Sequence, residues 1–151
     1  MRFAVSADEV AGVAELIGAE LARRGHEVEL YGALAPGQRA DWAWCSEAAA
    51  RAVAEGRADQ AVVACWTGAG ASIAANKVSG VRAALCTDAV MADGARKWAD
   101  ANVLALSLRL TSEPLLVEML DAWFAGAPSE DPVDQENVAH VAGIADAPPA
   151  S

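Results

Sequence analysis

Residues 60–77, Gln60-Ala61-Val62-Val63-Ala64-Cys65-Trp66-Thr67-Gly68-Ala69-Gly70-Ala71-Ser72-Ile73-Ala74-Ala75-Asn76-Lys77, read as a strand, a glycine-rich turn and the opening of a helix. The run from Gln60 to Ala64 is short and apolar, as a strand buried on both faces requires, and Ser72 to Lys77 begins a helix. Cys65 then crowns the strand and the glycines follow at once. In open α/β sheets ligands sit outside the carboxyl ends of the strands, where glycines let backbone N–H groups approach an anion and a helix N-terminus favours negative charge. A thiol, a hydroxyl and a glycine turn at one strand end therefore predict a small-molecule site.

Working outward, strand and helix patterns alternate on both sides of this segment. Arg2 to Ser6 is a strand, and Val10, Val13, Ala14, Ile17 and Leu21 make the apolar stripe of a helix that Gly25 stops. His26 to Tyr31 alternates as a second strand; Asp41 to Glu55 is helical and Gly56 caps it. Beyond the turn, Val81 to Cys86 and Val103 to Leu106 are strands, while Asp88 to Trp98 and Ser112 to Phe124 are helices, the latter with Pro114 near its start. This alternation predicts an α/β fold, a doubly wound parallel sheet of about five strands. The expected organisation is one domain over 1–126 and an acidic tail over 127–151. That tail carries Pro128, Pro132, Pro148 and Pro149 and is expected to extend over the surface or a neighbouring subunit and to fray at its end.

Composition narrows the function classes. The 151 residues are 54% hydrophobic, enough for one full core. No apolar run approaches the roughly 18 to 20 residues needed to cross a bilayer, and the N-terminus lacks a signal-peptide pattern, so no membrane partner and a cytoplasmic location are expected. A formal charge of −10 disfavours nucleic acid, which needs basic patches. Cys45, Cys65 and Cys86 are odd in number and lack metal-ligand spacing, and only His26 and His140 are available to help, so neither a zinc site nor a disulfide framework is expected.

The segment Cys65 to Lys77, together with Val81-Arg82-Ala83-Ala84-Leu85-Cys86 and Asp100-Ala101-Asn102-Val103-Leu104-Ala105-Leu106, resembles the ribose-5-phosphate isomerase B and galactose-6-phosphate isomerase family. The resemblance runs from the Asp8 loop to about Phe124. It implies a Rossmann-like three-layer α/β/α fold, interconversion of aldose and ketose sugar phosphates without metal or organic cofactor, and a homodimer or homotetramer with sites at the subunit interface. By match, Cys65 is the base and Thr67 assists ring opening. Gly68, Ala69, Gly70, Ala71 and Ser72 supply N–H donors to an enediolate oxyanion, Asp8 binds or relays a substrate hydroxyl proton, and Arg109 reaches a phosphate.

Several positions depart from the family pattern. Glu9 stands where a histidine is usual, Trp98-Ala99 replace His-Asn, and Trp66 replaces a glycine; Glu9, Trp66 and Trp98, with His140, are counted among the expected substrate-binding residues. Ala71 stands where some relatives carry a catalytic glutamate, and Ala139 and His140 stand nearest the expected C-terminal arginines. Ribose 5-phosphate is the default substrate. A different or unphosphorylated four- to six-carbon sugar, or a partner-dependent subunit, are the alternatives. Other readings stand beside the catalytic ones: Cys65 as a packing residue, Asp8 as a helix N-cap, Arg109 as an ion-pair partner. Trp42, Trp44, Trp98 and Trp123 read as core or dimer contacts and His26 as a solvent-facing strand residue.

Overall fold

The computed structural model describes residues 1–144; Ala145–Ser151, where the tail is expected to fray, lie outside the described residues. The elements are β1 (Arg2–Ala7), α1 (Ala14–Arg23), β2 (Glu27–Gly32), α2 (Trp42–Ala54), β3 (Gln60–Cys65), α3 (Ala69–Asn76), β4 (Ala83–Leu85), α4 (Ala89–Ala99), β5 (Val103–Ser107), α5 (Glu113–Ala125) and α6 (Pro132–Ile144). The five strands are all parallel, in the order β2-β1-β3-β5-β4. The expected doubly wound sheet is thus present. The chain leaves β1 toward β2 and leaves β3 toward the opposite edge, so the order reverses between β1 and β3, which is where such sheets bind ligands.

The two faces are packed differently. Phe3, Val5, Val62, Leu104 and Leu106 project to the side covered by α1, α4 and α5, where Ile17, Leu21, Leu116, Met119, Leu120 and Trp123 fill a core of large side chains. Trp123 also donates its indole N–H to Gln60 Oε1 at 2.7 Å, so its one polar atom is satisfied in the core. On the other side Ala4, Ala61, Val63, Cys65 and Ala105 meet Ala49, Ala50, Ala52, Ala71 and Ala75 of α2 and α3. Alanines on both partners bring these helices close to the sheet. The start of α3 is thereby held beside the end of β3.

Helix ends follow local chemistry. Asp88 caps α4 by accepting the Met91 N–H at 2.8 Å, and Ser112 caps α5 by accepting the Leu115 N–H at 3.3 Å, contacts of about 1 kcal/mol each. Asp100 ends α4 in the left-handed region at φ 42° without being glycine. Arg82 holds it there by donating Nε to its carbonyl at 2.8 Å and Nη2 to its carboxylate at 3.1 Å.

Three expectations change. Asp8 is not a helix N-cap: α1 begins at Ala14 behind Val13, because Gly12 at φ 54° turns the chain first. His26 is half-buried and stacks on Phe124 with centroids 4.7 Å apart, since the strand begins one residue later than expected. The segment after Pro132 is helical, although no residue of α6 is buried. Without an apolar stripe pressed into a core, its periodicity was invisible. Proline at its first position is where helices accept one.

Candidate active site

Three loops meet at the carboxyl end of the sheet: residues 8–13 after β1, 66–68 after β3 and 108–112 after β5. Cys65 closes β3 opposite Ser107 of β5, and Asp8 follows Ala7, which pairs with Ala64. Asp8 and Cys65 are therefore neighbours across adjacent strands. They belong to the same alternation, facing the α2 and α3 side with Ala4, Ala61 and Val63. The loops are fastened together: Leu108 N–H donates to the Cys65 carbonyl and Arg109 N–H to the Trp66 carbonyl, both at 3.0 Å. A Cβ on Gly12 would stand 2.8 Å from the Leu108 carbonyl oxygen, so the first loop also packs on the third.

Cys65 is only 5% exposed, and its Sγ accepts the Gly68 N–H at 3.2 Å. That bond exists because Gly68, at φ 77°, curls the chain back over the sulfur before α3 begins. Ala69 N–H donates to Thr67 Oγ1 at 3.4 Å, and Ser72 N–H is the first to close onto a helical carbonyl, that of Gly68 at 3.0 Å. Gly70 and Ala71 lie in the first helical turn, whose N–H groups have no carbonyl one turn back. They and the positive end of the helix face the thiol's side of the sheet. Trp42 lies across this turn, its ring 2.8 Å from where a Gly70 Cβ would stand.

Asp8 has one carboxylate oxygen buried without a hydrogen-bond partner. Burial, then the neighbouring carboxylate of Glu9, pushes its pKa up. A carboxyl raised in the folded state destabilises the fold while it is ionised, and the penalty fades as pH falls from the folded value to the unfolded one. Asp8→Asn is accordingly expected to raise stability at pH 7 by about 1 kcal/mol. The difference should shrink toward zero as the scan moves below the ordinary carboxylate range; a gap that widens with acid would overturn this account.

The other cysteines are chemically quiet. Burial pushes both the Cys45 and Cys86 thiols up to about 11, with Asp8 adding to the first and Asp88 to the second. Both stay protonated at pH 7. Iodoacetamide at neutral pH should therefore modify Cys65 first, read by peptide mass spectrometry; equal labelling of all three would count against a distinct Cys65.

The remaining expected residues divide into two places. Glu9, Trp66, Thr67 and Arg109 are exposed on the rim of the three loops, with Trp66 at 50%. Arg109 makes no ion pair among the described residues. Trp98 sits in the last turn of α4 and His140 on the exposed α6, which packs over α4 and borders the connection from α3 to β4. Those helix ends lie at the amino end of the sheet. One chain therefore does not bring Trp98 or His140 to Cys65. Trp98 instead lines a cavity of about 270 Å³ with Val138 and Val141 of α6. Trp42, read from the sequence as a core or dimer contact, and Ser107 also border this turn; a serine ending an otherwise apolar strand is the sequence signal for the second. Among the described residues no cluster of side chains could hold a metal, and no helix is long and apolar enough to cross a membrane.

A strand-end thiol beside a carboxyl group and the first turn of a helix, on a parallel sheet at its switch point, fits the aldose–ketose isomerase class, whose reaction moves one proton between neighbouring carbons. The chain belongs to the ribose/galactose isomerase family, whose model matches residues 4–141. It is 38% identical over 128 residues to ribose-5-phosphate isomerase B of Escherichia coli, covering 85% of each chain. It is 33% identical over 112 residues to a 4-deoxy-4-sulfo-D-erythrose isomerase of a Clostridium species, covering 74% of this chain and 70% of that one. Among solved structures, ribose-5-phosphate isomerase B of Clostridium thermocellum superposes with a TM-score of 0.86 at 34% identity, covering 97% and 98% of the two chains.

Proposed function

We propose that this protein interconverts a small aldose and ketose sugar phosphate through a cis-enediolate, with ribose 5-phosphate and ribulose 5-phosphate as the default pair and Cys65 as the base. The observation that carries the reading is the seat of the Cys65 sulfur, which is buried, held by the Gly68 N–H and set beside the open end of α3. A thiolate there takes the carbon-bound proton, and the N–H groups of Gly70 and Ala71 answer the charge that develops on the enediolate oxygen. Asp8, its pKa raised, suits the exchange of a hydroxyl proton between the two oxygens. Thr67 assists ring opening. Arg109 is the cation available on the rim for the substrate's anionic group, as a guanidinium fork suits.

The site is completed, in this reading, by a second copy of the chain. Trp98 is 55% exposed and, with His140, stands away from its own Cys65. Val133, Val141 and Ile144 of α6 are likewise exposed. A homodimer that covers these groups brings them to a neighbour's loops. Sedimentation equilibrium is expected to give at least twice the 15.5 kDa chain mass; a monomer at micromolar concentration would remove this part of the proposal. The enzyme acts in the cytoplasm.

The test of the activity is proton exchange. In D₂O, with a panel of four- to six-carbon aldoses and ketoses, phosphorylated, sulfonated and free, deuterium should enter C1 or C2 of at least one anionic sugar, followed by NMR. A folded, dimeric protein that exchanges nothing would point to a subunit that needs a different partner chain.

A further inference from the structure

We propose that Ser107 is a positioning residue for the Cys65 turn, acting through the backbone of Trp66. The inference rests on the reading of Cys65 as the base. Ser107 is 1% exposed and stands directly opposite Cys65 in the β3·β5 register. Its hydroxyl donates to the Trp66 carbonyl at 2.9 Å and accepts the Leu110 N–H at 3.1 Å, so both functions of the group are used. The Trp66 carbonyl also accepts the Arg109 N–H, and the Cys65 carbonyl accepts the Leu108 N–H. Both peptide units that follow the sulfur-bearing residue are thus fixed by residues 107–109.

Fixing the backbone fixes the sulfur. A cysteine has a single side-chain torsion before Sγ, so the sulfur goes where its own backbone and the Gly68 N–H place it. The backbone bonds from Leu108 and Arg109 fasten the two loops just beyond the strand ends. Among the described residues the Ser107 hydroxyl is the one side-chain group that ties Trp66 to the turn carrying Leu110, and this turn also carries Arg109. Base and cation are therefore mounted on one hydrogen-bonded unit.

The test compares Ser107→Ala with Ser107→Thr, which restores a hydroxyl, and with Cys65→Ala. For Ser107→Ala, the turnover number for deuterium wash-in into the exchanging sugar should fall about tenfold with KM nearly unchanged, since a small misplacement of a reacting group costs rate rather than binding. Ser107→Thr should recover most of that loss. A second measurement needs no substrate and no threonine variant: amide hydrogen exchange by NMR. In Ser107→Ala the Gly68 amide should lose at least about tenfold in protection while the amides of Ala61 to Ala64 keep theirs. A purely structural serine would lower the melting temperature and leave both turnover and Gly68 protection as they are, and that result overturns the inference. Cys65→Ala separates the two levels. Full wash-in without the thiol removes the base reading and this inference with it, whereas an inactive Cys65→Ala beside a native-like Ser107→Ala removes this inference alone.

Discussion

Cys65→Ala is expected to lower the deuterium wash-in rate on the order of 10³-fold, within the range that a positioned acid or base contributes, equivalent to about 4 kcal/mol of transition-state free energy. The expectation is large because no second base stands in the same place. Ala71 carries no carboxylate, and Asp8, one position past the strand register that seats the sulfur, is given the hydroxyl proton rather than the carbon-bound one. Cys65 contributes modestly to the fold as well, since removing Sγ leaves the buried Gly68 N–H without an acceptor, a cost of about 1–3 kcal/mol. Cys65→Ser distinguishes the two effects: its oxygen still accepts the Gly68 N–H, but a hydroxyl yields far less anion at neutral pH than a thiol. The serine variant should be nearly as stable as the parent and nearly as inactive as the alanine variant. More than a tenth of the parental rate in either variant would dismiss Cys65 as the base.

The legibility of this chain depends on what each residue's role leaves in local pattern. β3 is readable to the residue because Ala61–Cys65 is buried and Gln60 half-buried, so the apolar run and the strand coincide. Val81–Cys86 reads as a strand in the sequence, but β4 pairs only over Ala83–Leu85, since it lies at the sheet edge and has one neighbour to pair with. α6 has no buried face and so left no periodicity to read. At the candidate site, the strand-end placement of Cys65, Thr67 and the glycines is legible because they are contiguous. That of Ser107 and Trp42 is not, because their relation to the turn exists only after β5 and α2 have been brought to it. Trp98 and His140 mark the opposite limit. Family resemblance assigns them to the substrate, and within one chain the sheet separates them from Cys65 by its full length.

Gly68→Ala is expected to be among the most damaging single methyls in the protein, at about 4 kcal/mol of stability and a melting temperature lower by about 10 °C. Two causes add. The residue sits at φ 77°, where an alanine costs about 1–2 kcal/mol relative to glycine. Its Cβ would also stand 2.6 Å from Leu85 Cδ1, and 2.7 and 2.8 Å from the Leu106 carbonyl carbon and oxygen. The leucine side chain can turn away; the Leu106 carbonyl belongs to a central strand and can move only by shifting β5. Gly56→Ala is the control, because Gly56 has φ 73° and nothing within 4 Å of its Cβ position. It should lose only the conformational part, so the gap between the two variants, about 2–3 kcal/mol, measures the collision with β5. Equal losses at Gly68 and Gly56 would mean that the turn yields freely. In that case its curl over the sulfur is not enforced by the sheet, and the Gly68 N–H bond to Cys65 is set by the turn alone. Unequal losses make the glycine the device that presses the helix start onto the thiol. Activity of Gly68→Ala, measured well below its melting temperature, should then fall together with Gly68 amide protection.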